Sequence, residues 1–329
     1  MSVRAALSVV LIACSGWLYA QKPVPTHSGP PLPPRVPTQV QIDNAESTSK
    51  PDDVQIPEAN PARPTISNPA HVPPVGYLQL EQGFVQAGKS PSGLGGQFSL
   101  VQTIRLAVHP RLMVEFASQP FAVSRTAASP GEAETTQVDT GDLILGLQGL
   151  LIKEKGRRPT IALAYLQRVR AGSAPDLDIG SYSRSVTVLA SGDVGNFHYD
   201  GNLSVLEQTN EPIRRGQVGE SLSVTHDLFP VRLDDKLEIS GEIWNYNQPL
   251  VDTTRAGAPS TLSDALGTLW ALGYTVRPNL VLDGGFDRGL TATATAWQGF
   301  AGFTYLLPHR LWGGETGVRL AGQKHVHRR

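Results

Sequence analysis

Between about Tyr77 and Tyr305 the chain alternates apolar and polar residues, and the alternating segments are joined by links of two lengths. Period two is the mark of strands with one oily and one polar face. The short links are His109-Pro110-Arg111, Gly156-Arg157-Arg158-Pro159, 192–196, Phe229-Pro230 and Arg277-Pro278-Asn279. Between them lie longer ones at 87–97, 121–140, 171–180, 209–216 and 247–260. A soluble sandwich has no cause to sort its connections in this way, whereas an outer-membrane barrel does, with tight periplasmic turns and long outer loops.

The pattern predicts strands near 77–86, 97–108, 111–120, 141–153, 159–170, 181–192, 196–208, 217–229, 231–246, 261–276, 279–288 and 294–307. Most reach the roughly 9–11 residues that a tilted strand needs to span a bilayer. In the first, Leu78, Leu80 and Phe84 oppose Gln79 and Glu81; in the fifth, Ile161, Leu163 and Tyr165 oppose Ala162 and Ala164. Aromatic residues toward the strand ends (Tyr77, Phe84, Phe116, Tyr182, Phe229, Trp244, Tyr246, Tyr274, Phe286, Trp297, Phe303, Tyr305) fit membrane-interface girdles. The expected fold is all-β: an antiparallel up-and-down transmembrane β-barrel of about 12 strands over 76–307, in the outer membrane.

Residues 1–20 read as a signal peptide, with Arg4, an apolar run and a site after Ala20. Lipidation at Cys14, within Leu11-Ile12-Ala13-Cys14, is the alternative. Cleavage after Ala20 removes the chain's single cysteine and with it thiol chemistry and disulfides. A net charge of −1 gives no basic field for nucleic acid. Fourteen of the 26 prolines fall in 23–74. A segment so poor in large apolar residues cannot offset its ordering entropy by burial, so 21–75 is expected to be a disordered periplasmic linker. A docking role toward a periplasmic or cell-wall partner is the alternative. Residues 308–329 form a C-terminal extension.

The segments His109-Pro110-Arg111-Leu112-Met113-Val114-Glu115-Phe116 and Arg277–Leu290 share a turn-then-strand design, and 141–147 and 298–305 add two further blocks. Together they resemble the outer-membrane β-barrel family named for the meta-cleavage pathway of phenol degradation. The resemblance covers about 76–307 and implies a transporter, porin-like and tied to the catabolism of aromatic compounds. Such barrels usually end on an aromatic residue, whereas this chain runs on to His325-Val326-His327-Arg328-Arg329.

If the oily faces meet lipid, Glu81, Arg105, Glu115, Arg168, Arg170, Asp200, Glu238, Glu242, Asp283 and Asp287 are in phase to line the lumen. They would either select a permeating solute or pair into a network that fills the barrel. His198, His226 and Asp200 raise the question of a nucleophile and base, but no Gly-x-Ser-x-Gly elbow is present and an inward site is badly placed for lipid substrates. His325 and His327 lack a third ligand for a metal. The expectation is therefore a non-enzymatic channel, without cofactor, that passes small solutes, aromatic or hydrophobic ones among them. Its partners are outer-membrane lipid and the solute. The rivals are a structural anchor with a Pro-rich tether and, third, an outer-membrane enzyme.

Overall fold

A computed structural model describes residues 57–90, 94–126, 133–175, 177, 183–210, 213–228, 236–247 and 264–312. The signal-peptide and lipidation readings, residues 21–56 and the tail beyond 312 lie outside them. The strands are β1 (Leu78–Ala87), β2 (Leu94–His109), β3 (Leu112–Thr126), β4 (Thr136–Asp139), β5 (Leu143–Ile152), β6 (Thr160–Arg170) and β7 (Arg184–Val194). They continue as β8 (Phe197–Asn210), β9 (Ile213–Leu228), β10 (Leu237–Asn247), β11 (Asp264–Arg277), β12 (Leu280–Gly289) and β13 (Trp297–Leu306).

All neighbours pair antiparallel, and β1 pairs with both β2 and β13, so every strand but β4 closes into a ring of twelve. Closure satisfies the backbone groups that a free sheet edge would leave open, the condition for crossing lipid with strands. No helix among the described residues is long and apolar enough to cross a membrane. At the tight-turn end, Gly195 takes φ +66°, a left-handed conformation suited to the two-residue link between β7 and β8.

The distribution of polarity inverts that of a soluble protein. Leu147, Leu203, Val205 and Trp270 are about half exposed on the outside, and Phe84, Val188, Leu272 and Phe286 join them. Gln79, Glu81, Ser99, Arg105, Gln148, Ser191, Glu242 and Thr304 are buried within. An oily exterior around a polar interior is what a bilayer solvent selects.

Two links differ from expectation. Residues 121–140 are not simply a loop: β3 runs on to Thr126 and β4 folds back on it, Ala122 opposite Asp139, making a hairpin that extends past the ring. The link at 209–216 is strand on both sides, with Asn210 opposite Ile213. Its polar residues resemble a loop in composition because strands that outrun the apolar belt no longer need an oily face. Of the girdle residues, Trp244 and Tyr246 turn inward, Trp244 only 2% exposed, in the same phase as Glu242.

Candidate functional site

The lumen is occupied by the chain itself. Residues 57–76 enter from the tight-turn end, where Ala59 N donates to Pro278 O, and leave there, where Gly76 N donates to Ala107 O. The part of the Pro-rich segment that the structure describes is thus a U-shaped loop inside the barrel rather than a linker outside it.

The loop has neither helix nor strand of its own to absorb its backbone groups, and orphaned groups buried in a lumen are costly. The wall supplies the partners. Ile66 N and Ser67 N each donate to the Glu242 carboxylate at 2.7 Å, and Ser67 Oγ donates to it at 2.6 Å. Ala70 N donates to Ser191 Oγ at 2.7 Å, and Gln148 Nε2 donates to Ala70 O at 3.1 Å. On the entering limb, Asn60 and Gln79 exchange two bonds, Asn60 N to Oε1 at 2.9 Å and Nε2 to Asn60 O at 2.6 Å. Proline lowers the entropy lost on fixing such a loop, and its small residues Ala62, Ser67 and Ala70 fit against the wall almost fully buried.

Ion pairs reinforce the seat. Arg63 pairs with Asp283 at 3.1 Å. A Cβ at Gly83 would lie 2.4 Å from Arg63 Nη2, and one at Gly302 would lie 2.9 Å from its Nε. These paired glycines of β1 and β13 leave the room that the guanidinium occupies. Arg105 reaches Glu81 at 3.2 Å, Glu115 at 3.0 Å and Asn68 Oδ1 of the loop at 2.9 Å.

The predicted lining residues therefore fall into groups. Glu81, Arg105, Glu115, Glu242 and Asp283 meet the loop or each other, and Asp200 holds Ser191, the partner of Ala70, at 2.5 Å. Asp287 lies nearer the loop end, and Glu238 is half-buried on the same face of β10. Arg168 pairs with Asp142 at 3.1 Å at the rim. Arg170 does not line the lumen: a bulge places Arg168 opposite Ile144 but Arg170 opposite Leu143, which turns Arg170 to the exposed side.

Of His198, His226 and Asp200, the first and last meet and His226 stands apart. His198 lies against Asp193 at 2.7 Å and Asp200 at 3.4 Å, while His226 stacks on Phe197 at 4.7 Å between ring centroids. Ser191 donates to Asp200, not to a histidine, and accepts from Ala70. That arrangement serves as an anchor for the loop. His71, on the returning limb, sits 3.0 Å from Thr160 Oγ1 with Glu154 at 3.8 Å. Burial foremost, and then the nearby His198, lower its pKa below 6.5 against the pull of Glu154, Asp200 and Asp193.

The chain crosses the other end as well. β6 and β7 stand across the ring from β12 and β13, yet Pro175 and Leu177 between them reach the far side. Leu177 O accepts from Thr295 Oγ1 at 3.0 Å and from Ser90 Oγ, and Pro175 O accepts from Gln97 Nε2 at 2.9 Å. Beside the loop tip lies a cavity of about 320 Å³. Arg63 and Ile66 bound it on one side, and Trp244, Tyr246, Asp287 and Phe300 on the other.

No family model matches the sequence, and no curated protein matches it. Among solved structures, an outer membrane channel from Pseudomonas putida F1 superposes with a TM-score of 0.52, covering 76% of this chain and all of its own at 12% identity. The chain shares the fold of that channel, a closed antiparallel β-barrel. The NanC porin covers 70% of this chain and 99% of its own, with a TM-score of 0.42 and 10% identity. At such identities the likeness is one of architecture.

Signals for the lumen loop were present but indirect. Inward Gln79, Gln148, Ser191 and Glu242 are more hydrogen-bonding capacity than barrel walls need among themselves, and such groups buried inside a closed ring require partners.

Proposed function

We propose that this protein is an outer-membrane channel for small solutes, held closed by its own N-terminal loop. The observation that carries the reading is the Glu242 seat, which takes the backbone of Ile66 and Ser67 in mid-lumen and fixes the loop across the path. Transport is passive and non-enzymatic: the loop shifts, solute passes along the polar wall, and the loop returns. Outer-membrane barrels place their tight turns toward the periplasm, which favours a periplasmic entry for residues 57–76. The resemblance to the phenol meta-pathway family favours aromatic or hydrophobic solutes.

Planar-bilayer recording tests this. The full chain should show rare openings, and deletion of 57–75 should give a steadily open pore. Conductance unchanged by that deletion, in protein with intact heat-modifiable migration, would sink the proposal.

A further inference from the structure

The barrel wall that receives Arg63 is shaped to a guanidinium. Arg63 Nε donates to Asp283 Oδ1 at 3.3 Å and Oδ2 at 3.4 Å, and Nη2 donates to Oδ1 at 3.1 Å. The Asp283 side chain is only 2% exposed. Glu81, the next inward carboxylate on β1, is engaged by Arg105 and by the amide of Ala62, which leaves Asp283 as the anion that Arg63 uses.

Beside Asp283 the wall carries no side chains. Asp283 of β12 lies opposite Gly302 of β13, which lies opposite Gly83 of β1. A Cβ at Gly83 would fall 2.4 Å from Arg63 Nη2, 2.5 Å from Cζ and 2.6 Å from Nη1. Three atoms of a flat group at nearly one distance mean that its face rests on the bare backbone there. Phe300, two positions from Gly302 on β13, has its centroid 5.8 Å from Arg63 Cζ. The cavity of about 320 Å³ opens alongside Arg63, so the seat can be reached from the lumen.

We propose that this seat is a binding site for a small solute bearing an alkylguanidinium group, which Arg63 fills as a stand-in while the loop is docked. A flat fork of N–H donors matches a carboxylate edge, fits a slot cleared by glycine and stacks on an aromatic face. An alkylammonium carries the same charge on a compact, strongly hydrated head that uses neither the fork nor the slot. Withdrawal of the loop leaves the enclosed Asp283 carboxylate without the Arg63 charge, a costly state that an incoming guanidinium relieves. How the solute arrives rests on the loop-gated channel proposed above, but its binding is measured without transport.

The test is isothermal titration of the detergent-solubilised full chain carrying Arg63→Ala. The probe is N-ethylguanidinium, which restores the atoms that the substitution removes, and n-propylammonium is the control of equal charge. N-ethylguanidinium should bind saturably, about tenfold or more tighter than n-propylammonium and about tenfold or more tighter than to the wild type, whose seat is filled. Adding Asp283→Asn to Arg63→Ala should abolish the binding. So should adding Gly83→Ala, which leaves the carboxylate in place and sets a methyl group where the guanidinium face lay. No saturable heat in folded Arg63→Ala, equal affinity for the two cations, equal affinity in the wild type, or binding that survives Gly83→Ala or Asp283→Asn would each overturn the site. The two proposals fail separately: guanidinium binding with a deletion-insensitive conductance leaves the site and removes the channel, and the reverse result removes the site alone.

Discussion

Glu242 offers the sharpest perturbation of the closed state. It is 4% exposed on β10 and receives the two backbone N–H groups of Ile66 and Ser67 together with the Ser67 hydroxyl. Alanine at 242 removes every acceptor at once and leaves two amides, Ser67's buried and Ile66's partly so, to find water or go unpaired. An orphaned buried donor costs about 1–3 kcal/mol, and water entering the vacated space recovers part of that, so the docked loop should lose about 2–3 kcal/mol. The ratio of open to closed states should therefore rise about 30- to 150-fold. Glutamine is gentler, because its amide oxygen takes one N–H while its own NH₂ confronts the other; about 1–2 kcal/mol should be lost. Single-channel dwell times in planar bilayers measure the ratio directly, with the chain lacking 57–75 setting the open level. If Glu242→Ala leaves dwell times within twofold of the wild type while the deletion opens the pore, Glu242 is not the latch and the loop is held elsewhere.

Other perturbations address separate parts of the molecule. Ser67 Oγ lies 2.8 Å from Ser221 Oγ, so a Ser67→Cys, Ser221→Cys pair should cross-link on oxidation and silence the channel until reductant is added; conductance indifferent to reductant would refute the loop's position. Because the docked loop holds His71 below 6.5 while a released loop would titrate near that ordinary value, acid protonates the released form first. The His71 contribution to open probability should then be flat above about pH 6.5 and rise below it, and His71→Gln should remove this contribution; an unchanged pH profile in that variant would count against it. Trp270, 59% exposed in the middle of β11, should cost about 2–4 kcal/mol in urea unfolding from vesicles when replaced by lysine, the cost of a charge on a lipid face. A loss within about 0.5 kcal/mol, as on an ordinary wet surface, would deny lipid to that face.

The barrel was legible because period two is a local signal that survives without tertiary information: Leu78 and Leu80 out, Gln79 and Glu81 in, for strand after strand. Trp244 and Tyr246 have the residue type of a membrane girdle, but the phase they share with Glu242 turns them into the lumen. Arg170 was lost to a bulge, which one sequence cannot reveal. The lumen loop was missed for a deeper reason. Disorder is inferred from too little apolar surface to bury, but this segment is ordered by hydrogen bonds to a polar cavity wall, and that cavity exists only once strands distant in sequence have closed. Arg63 and Asp283, separated by 220 positions, had no reason to be read together.

The U shape of residues 57–76 has a mechanical consequence. Both limbs pass the same rim, so the loop can be inserted into a finished barrel, or withdrawn from it, without threading a chain end through the pore. A pull on Pro57 from its N-terminal side would load the contacts of Ala59, Asn60, Ala62 and Arg63 in succession. Bonds loaded one after another yield at lower force than bonds loaded in parallel. A seat that holds firmly against thermal motion can therefore be unzipped by modest tension from one side.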